Sequence, residues 1–116
     1  MNRKEAEKQG RRAESLAALW LHLKGWRIVA RRVRTPVGEI DLIVRRGRMV
    51  AFVEVKARGT ADGVGLALDR HRLKRVAAAA EAVAPRFVKP GEDMRIDAVF
   101  VVPGRLPRHL ENVWHG

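Results

Sequence analysis

Two acidic residues and a lysine lie in neighbouring segments that both have the composition of β-strands. Asp41 lies within Gly38–Ile43, and Glu54 and Lys56 lie within Phe52–Lys56. Carboxylate oxygens are ligands that Mg²⁺ prefers, and a metal held by them can polarise a phosphodiester and activate water. A lysine beside such a site can orient the attacking water or stabilise the charge that develops. The residue types and their spacing therefore predict a metal-dependent hydrolytic site.

The two segments are predicted to form a hairpin. Arg45–Arg48 connects them and contains a glycine, which readily takes a positive φ in a tight turn. With the turn centred on the middle two residues of this connection, Asp41 falls opposite Phe52 and Glu39 falls opposite Glu54. Asp41 and Glu54 are then diagonal neighbours, roughly 7–8 Å apart at the backbone, and their side chains can close around an ion.

This register gives the hairpin one apolar face and one charged face, because side chains alternate along a strand. The apolar face carries Ile40, Leu42, Val44, Met49, Ala51, Val53 and Val55. The other face carries Glu39, Asp41, Glu54 and Lys56 beside Ile43, Val50 and Phe52. A lone acid on a strand is most often solvated, but acids crowded onto a partly covered face favour a cation site. Their crowding also predicts at least one raised folded-state pKa, so amide substitutions at Asp41 or Glu54 should stabilise the metal-free protein.

The composition indicates one basic domain, residues 1–116, with its core at about residues 10–102. Lys and Arg total 24 against 13 Asp and Glu, which gives a net charge of +11. The arginines are spread along the chain, as suits a surface that binds phosphate backbones. An arginine-rich genome accounts for the charge equally well. The chain has no cysteine, which excludes disulfides and thiolate metal sites.

No apolar run approaches the ~20 residues that a membrane span requires. We therefore expect no membrane association and a cytoplasmic location. Hydrophobic periodicity predicts helices at 3–24 and 68–84, strands at 26–33 and 94–102 in addition to the hairpin, a glycine-rich loop at 58–65 and a short fifth strand at 110–114. Pro85 is expected to end the second helix.

The apolar stripe of the first helix is predicted to be Ala13, Leu16, Ala17, Trp20 and Leu23. A strand, a helix and another strand imply a parallel crossover. The predicted architecture is an α/β fold of order α-β-β-β-α-β, a small mixed sheet with one helix on each face.

At this point the sequence resembles a known family. Gly38–Ile43 and the segment 52–58, Phe-Val-Glu-Val-Lys-Ala-Arg, are similar to the signature of the bacterial YraN-like family of predicted endonucleases. That family belongs to the PD-(D/E)xK, or restriction-endonuclease-like, superfamily and is distantly similar to archaeal Holliday junction resolvases. The resemblance extends from about Gly10 to Val102. Arg72 is a departure, since the resemblance leads us to expect a lysine there.

The resemblance implies a restriction-endonuclease-like fold, with Asp41, Glu54 and Lys56 as the catalytic triplet and Glu14 as a further acid. We predict that Asp41, Glu54 and Val55 bind Mg²⁺ or Mn²⁺. The predicted nucleic-acid-binding residues are Arg45, Arg46, Arg58, Arg72 and Arg75.

Three functions remain open from the sequence. The first is a metal-dependent endonuclease that acts on DNA, including branched or repair intermediates. The second is a non-catalytic nucleic-acid-binding module on the same fold, and the third is a basic structural protein of the ribosome or nucleoid. Resolution of a four-way junction would require two active sites and hence a homodimer.

Overall fold

A computed structural model describes residues 2–57 and 69–116, which form two helices and one sheet. The elements in chain order are α1 (Arg3–Leu23), β1 (Arg27–Thr35), β2 (Gly38–Arg46), β3 (Met49–Ala57), α2 (Arg70–Phe87), β4 (Asp93–Val101) and β5 (Arg108–Leu110). The predicted glycine-rich loop at 58–65 lies outside the described residues. In the described parts of the chain, neither helix is both long and apolar enough to cross a membrane.

The sheet has the mixed topology that the sequence predicts. Its spatial order is β1-β2-β3-β4-β5, with β1, β2 and β3 antiparallel and β3 parallel to β4. Strand β5 pairs antiparallel with β4 and is shorter and earlier than the predicted 110–114. Since α1 and α2 cover opposite faces, the predicted fold class is confirmed.

Each helix shares an apolar core with one face of the sheet. The core under α1 contains Ala13, Ala17, Ala18, Leu21, Trp26, Leu42, Val44, Ala51, Val53, Val99 and Val101. The core under α2 contains Ile40, Ile43, Val50, Phe52, Leu73, Val76, Ala79, Ala80, Val83 and Ile96. The hairpin therefore contributes apolar side chains to both layers, which holds its two strands rigidly between the helices.

Helix α1 buries a face that overlaps only partly with the predicted one. Ala13 and Ala17 are buried as predicted, but Leu16 and Leu23, which were expected in the same stripe, are exposed. Ala18 and Leu21 complete the buried face. Small side chains let the helix lie close to the sheet, whereas a stripe centred on the leucines would hold it further away. The size of the side chains at the contact therefore decides which face of α1 packs against the sheet.

Helix α2 continues beyond the predicted stop. It includes Pro85 and ends at Phe87, and the Val88 N–H still donates to the Ala84 carbonyl at 2.8 Å. A proline removes only its own N–H from the helix, and later residues can go on bonding to earlier carbonyls. Packing of Phe87 and Val88 against the core under α2 stabilises this last turn.

The hairpin turn is shifted from the predicted position. Arg46 pairs with Met49, so the predicted pairing of Arg45 with Arg48 is wrong. Gly47 has φ 60 and takes the first of the two turn positions, as in a type II′ turn. The glycine requirement at that first position places the turn one residue later than expected.

The shifted turn changes the partners of the two candidate metal ligands. The ladder pairs Ile43 with Phe52 and ends at Leu42 and Val53, so the predicted position of Asp41 opposite Phe52 is wrong. Beyond that point the Val55 N–H donates to the Asp41 side chain instead of continuing the ladder. The negative charge of Glu54 raises the pKa of Asp41, so the two carboxylates are close neighbours.

A register shift of two residues leaves each side chain of the ladder, from Leu42 to Arg46 and from Met49 to Val53, on its predicted face. Before Leu42 the alternation breaks, because Ile40 packs under α2, whereas Val55, predicted on the same face, packs under α1. In the neighbouring strand Arg32 has φ 51, and this left-handed residue interrupts the regular pleat at that point.

Gly38 allows α2 to approach the sheet closely. A Cβ at Gly38 would lie 2.5 Å from the main-chain oxygen of Arg75. We expect Gly38→Ala to lower the free energy of unfolding by about 1–3 kcal/mol, because backbone must move to admit the methyl group. Gly10→Ala is the control, since Gly10 lies inside α1 with no heavy atom within 4 Å of the added Cβ.

The control should raise stability by about 1 kcal/mol through helix propensity. Urea unfolding monitored by circular dichroism measures both variants. A Gly38→Ala variant as stable as the wild type would show that this close approach is not needed for folding.

Candidate active site

The predicted catalytic residues Asp41, Glu54 and Lys56 lie together at one end of the hairpin. The Val55 N–H donates to Oδ2 of Asp41 at 2.8 Å, which ties β3 to the acid on β2. Lys56 Nζ lies 3.6 Å from Oε1 of Glu54. Asp41 is 7% exposed and Glu54 is 1% exposed, so both acids are held in a nearly dry environment. Their catalytic and metal-binding roles stay predictions.

Asp41 has the raised pKa that the crowding of acids predicts. Burial, followed by the negative charge of Glu54, raises the pKa of Asp41 from 3.8 to about 7. The charge of Glu14 acts in the same direction. The hydrogen bond from Val55 and the charge of Arg72 lower this pKa and offset only part of the increase.

The negative charge of Glu54 is balanced by two positively charged side chains, which both approach one of its oxygens. The Nε atom of Arg72 contacts Oε1, and Lys56 approaches the same oxygen. The other oxygen, Oε2, is buried and has no hydrogen-bond partner among the described residues. A buried carboxylate oxygen usually has a partner, so this one has an open coordination position.

Glu14 approaches the site from α1 through an arginine that the sequence analysis did not select. Its Oε1 accepts from Arg32 Nε at 2.6 Å. The Glu14 hydrogen bond raises the pKa of Arg32, and Glu39 and Asp41 act on it in the same direction. Arg32 of β1 thus interacts with acids of two other elements, α1 and β2. Its positive φ gave no sequence signal, because arginine rarely takes this conformation.

The donor set fits a hard divalent cation. Among residues 2–57 and 69–116, no group of three or more His, Asp or Glu side chains is arranged to hold a metal. Mg²⁺, however, is usually bound by one or two carboxylates with water completing its shell. The neighbouring pair of Asp41 and Glu54, with the Oε2 of Glu54 unpaired among the described residues, meets that requirement. Val55 can contribute only a main-chain oxygen.

The predicted nucleic-acid-binding arginines fall into different surroundings. Arg45 is bound within the chain, to the carboxylate of Glu92 and to a main-chain carbonyl of α2. Arg46 stacks 4.4 Å from the centroid of the Trp26 ring. Arg72 and Arg75 line a cavity of about 180 Å³ beside the site, together with Glu39 and Val76. Arg58 lies outside the described residues.

A third buried acid, Asp97, lies on the α1 face, and both of its carboxylate oxygens are paired. Asp97 accepts from His109 at 2.8 Å, from Arg95 Nε at 2.9 Å and from the Asn112 N–H at 2.9 Å. Burial raises the pKa of Asp97, but these hydrogen bonds outweigh it and leave the pKa below 3.8. Asp97 therefore holds β5 and the segment after it against β4.

We expect Asp97→Ala to lower the free energy of unfolding by about 3–5 kcal/mol, because it leaves buried partners without their acid. The wild type should lose this contribution in acid. The lowered pKa means that the stabilisation is present above the unfolded value near 3.8 and disappears as pH falls through the folded one. Chemical denaturation of wild type and Asp97→Ala from pH 7 to pH 2 tests this. A difference in the free energy of unfolding that is as large at pH 2 as at pH 7 would contradict it.

Comparison with solved structures agrees with this architecture. The chain matches the structure described as "Archaeoglobus fulgidus Hjc, a Holliday junction resolvase from an archaeal hyperthermophile" with a TM-score of 0.61. The match covers 86% of this chain and 73% of that chain at 18% sequence identity. The protein is thus an α/β protein of the restriction-endonuclease-like fold, with a pair of buried carboxylates at the end of its central hairpin.

The family follows from sequence comparison. The model of "Uncharacterised protein family UPF0102" matches residues 13–101, and the chain belongs to this family, the YraN-like family that it resembles. The UPF0102 protein of Sphingopyxis alaskensis is 60% identical over 114 residues, covering 98% of each chain. That of Rhizorhabdus wittichii is 60% identical over 117 residues, covering 100% of this chain and 99% of the other.

Proposed function

We propose that this protein is a metal-dependent endonuclease that hydrolyses phosphodiester bonds in DNA, with Mg²⁺ or Mn²⁺ as its cofactor. The observation that carries the proposal is the neighbouring pair of buried carboxylates, Asp41 and Glu54, with Lys56 beside them. The fold that the chain shares with an archaeal Holliday junction resolvase supports nuclease chemistry and DNA as the substrate.

Each side chain has a distinct part in this proposal. Asp41 and Glu54 hold the cation, with the main chain of Val55 completing the protein ligands. The bound cation supplies polarisation of the phosphoryl oxygen and a more acidic water. Lys56 orients the attacking water or stabilises the developing charge from its position 3.6 Å from Glu54. Glu14 is the further acid of the site.

The net charge of +11 supports binding to the phosphate backbone. We assign the contacts with phosphates to Arg46, Arg58, Arg72 and Arg75, and leave Arg45 with its internal partners. Such contacts position a nucleic acid without reading its bases. If the substrate is a four-way junction, two symmetric cleavages require a homodimer.

A non-catalytic nucleic-acid-binding module is the second candidate. It is favoured by the contact of Arg72 with Glu54, which already supplies one acid of the pair with a cation. In that case positively charged side chains of the protein itself would balance the carboxylates, and the basic surface alone would bind the nucleic acid.

Cleavage and binding assays on the same substrates distinguish the two candidates. Labelled single-stranded, duplex, flap and four-way DNA, with an RNA duplex for comparison, should be incubated with Mg²⁺, with Mn²⁺ or with a chelator. The nuclease predicts cleavage that appears with metal and disappears with the chelator. Salt-sensitive binding without cleavage on any of these substrates would support the binding module, and cleavage in excess chelator would contradict the metal site.

A further inference from the structure

Arg72 contacts Glu54 in a way that surface ion pairs do not. Its Nε atom meets Oε1 of a carboxylate whose side chain is 1% exposed, while the arginine side chain is 54% exposed. The cation therefore reaches inward from the protein surface to a buried charge. A carboxylate removed from water requires a compensating positive charge, and Arg72 and Lys56 supply it.

The main chain of Arg72 is held in place from two directions. Its N–H donates to Oδ1 of Asp69, the N-cap residue of α2, at 3.2 Å. One turn further along, the main-chain oxygen of Arg75 lies against Gly38 of β2. The position of the backbone at Arg72 is thus set by the docking of α2, while its side chain borders an open cavity of about 180 Å³.

We infer that Arg72 is a positioning residue that serves as an internal counter-cation for Glu54 and that a divalent metal competes with it for this carboxylate. The inference rests on the proposed metal-dependent function. Arg72 and Lys56 already meet at Oε1, so a metal at Oε2, which is unpaired among the described residues, would add further positive charge to the same carboxylate and weaken its contact with Arg72. The cavity shared with Arg75 provides space for the guanidinium group to move away from Glu54.

Competition makes a specific prediction about metal binding without any nucleic acid. Removing Arg72 should tighten Mn²⁺ binding by about tenfold, because the metal no longer competes with a charge-assisted hydrogen bond to Glu54. Arg75→Ala is the matched control, since it removes the same charge from the same helix and the same cavity. We expect the control to change the affinity by no more than about twofold, as for a partly screened charge without direct contact.

Calorimetric titration of Mn²⁺ into wild type, Arg72→Ala, Arg72→Lys and Arg75→Ala provides the measurement. Arg72→Lys retains the charge but loses the planar guanidinium group, so its affinity should lie between those of wild type and Arg72→Ala. If Arg72→Ala does not fold, tighter binding by Arg72→Lys than by wild type carries the test. Thermal melts in chelator check that each variant is folded, and Mn²⁺ should raise the midpoint of Arg72→Ala more than that of Arg75→Ala.

The outcomes separate this inference from the proposed function. Mn²⁺ binding of equal affinity in wild type, Arg72→Ala and Arg75→Ala would overturn the inference and leave the metal site intact. If Mn²⁺ binds both alanine variants more tightly by a similar factor, the loss of one positive charge anywhere near the site explains the effect. That result would also overturn the inference. No Mn²⁺ binding by wild type or by any variant would overturn the proposed metal dependence together with the inference.

Discussion

Glu54→Gln is expected to lower the rate of metal-dependent DNA cleavage by at least about 10³-fold, because it removes a charged metal ligand. Glutamine matches the volume of glutamate, so the buried position is filled as before. The substitution removes the negative charge at a side chain that is 1% exposed and close enough to Asp41 to raise the pKa of that acid. With one neutral and one acidic side chain, the site should also bind Mn²⁺ much more weakly.

Two comparisons sharpen this prediction. Glu111→Gln is the control, because Glu111 is an exposed acid that pairs with Arg95 outside the candidate site. Lys56→Met should retain Mn²⁺ binding and lose cleavage, which separates the metal ligands from the residue that acts on water or on developing charge. Single-turnover cleavage measured with Mn²⁺ gives all three rates. A Glu54→Gln rate equal to that of wild type would contradict the enzyme assignment.

Asp41→Asn is expected to stabilise the metal-free protein at pH 8. The pKa of Asp41 is raised by burial and by Glu54 to about 7, so the folded state holds the proton more tightly than the unfolded state does. The resulting penalty is absent below pH 3.8, grows between pH 3.8 and about 7, and is complete above that range. The difference between these two pKa values corresponds to about 4 kcal/mol at full effect.

Asparagine removes the charge and retains an oxygen that can accept the Val55 N–H. Its advantage over wild type should therefore be absent near pH 4 and largest above pH 7. Denaturant unfolding in chelator across this range measures it. Mn²⁺ should stabilise wild type more than Asp41→Asn, since the variant has lost a charged ligand. A variant less stable than wild type at pH 8 would show that the carboxylate is structural.

The structure gives Asp41 and Glu54 different surroundings, although the sequence predicted the same effect on stability for both. Amide substitutions at both acids were expected to stabilise the metal-free protein. Glu54, however, has Arg72 and Lys56 as counter-cations, whereas Asp41 has only the Val55 N–H as a direct hydrogen-bond donor among the described residues. We therefore expect Glu54→Gln to lower the stability at pH 8, opposite in sign to Asp41→Asn.

The sequence alone determined the fold order, the family and the faces of the paired part of the hairpin. Strand alternation has a period of two residues, and the shifted turn moved the pairing by two residues. The residues from Leu42 to Arg46 and from Met49 to Val53 therefore stayed on their predicted faces. The motif in Gly38–Ile43 and 52–58 likewise led to the family that sequence comparison confirms.

Only the tertiary structure decided which charges meet. Arg72 lies 18 residues from Glu54 in the chain, and Arg32 lies 18 residues from Glu14, so neither contact has a local signal. Both depend on how the helices dock, which small side chains in α1 and the close approach at Gly38 determine. The register of the hairpin that carries Asp41 and Glu54 depended on the glycine conformation at the turn. Long-range packing, and not residue type, therefore set the electrostatic balance of the candidate site.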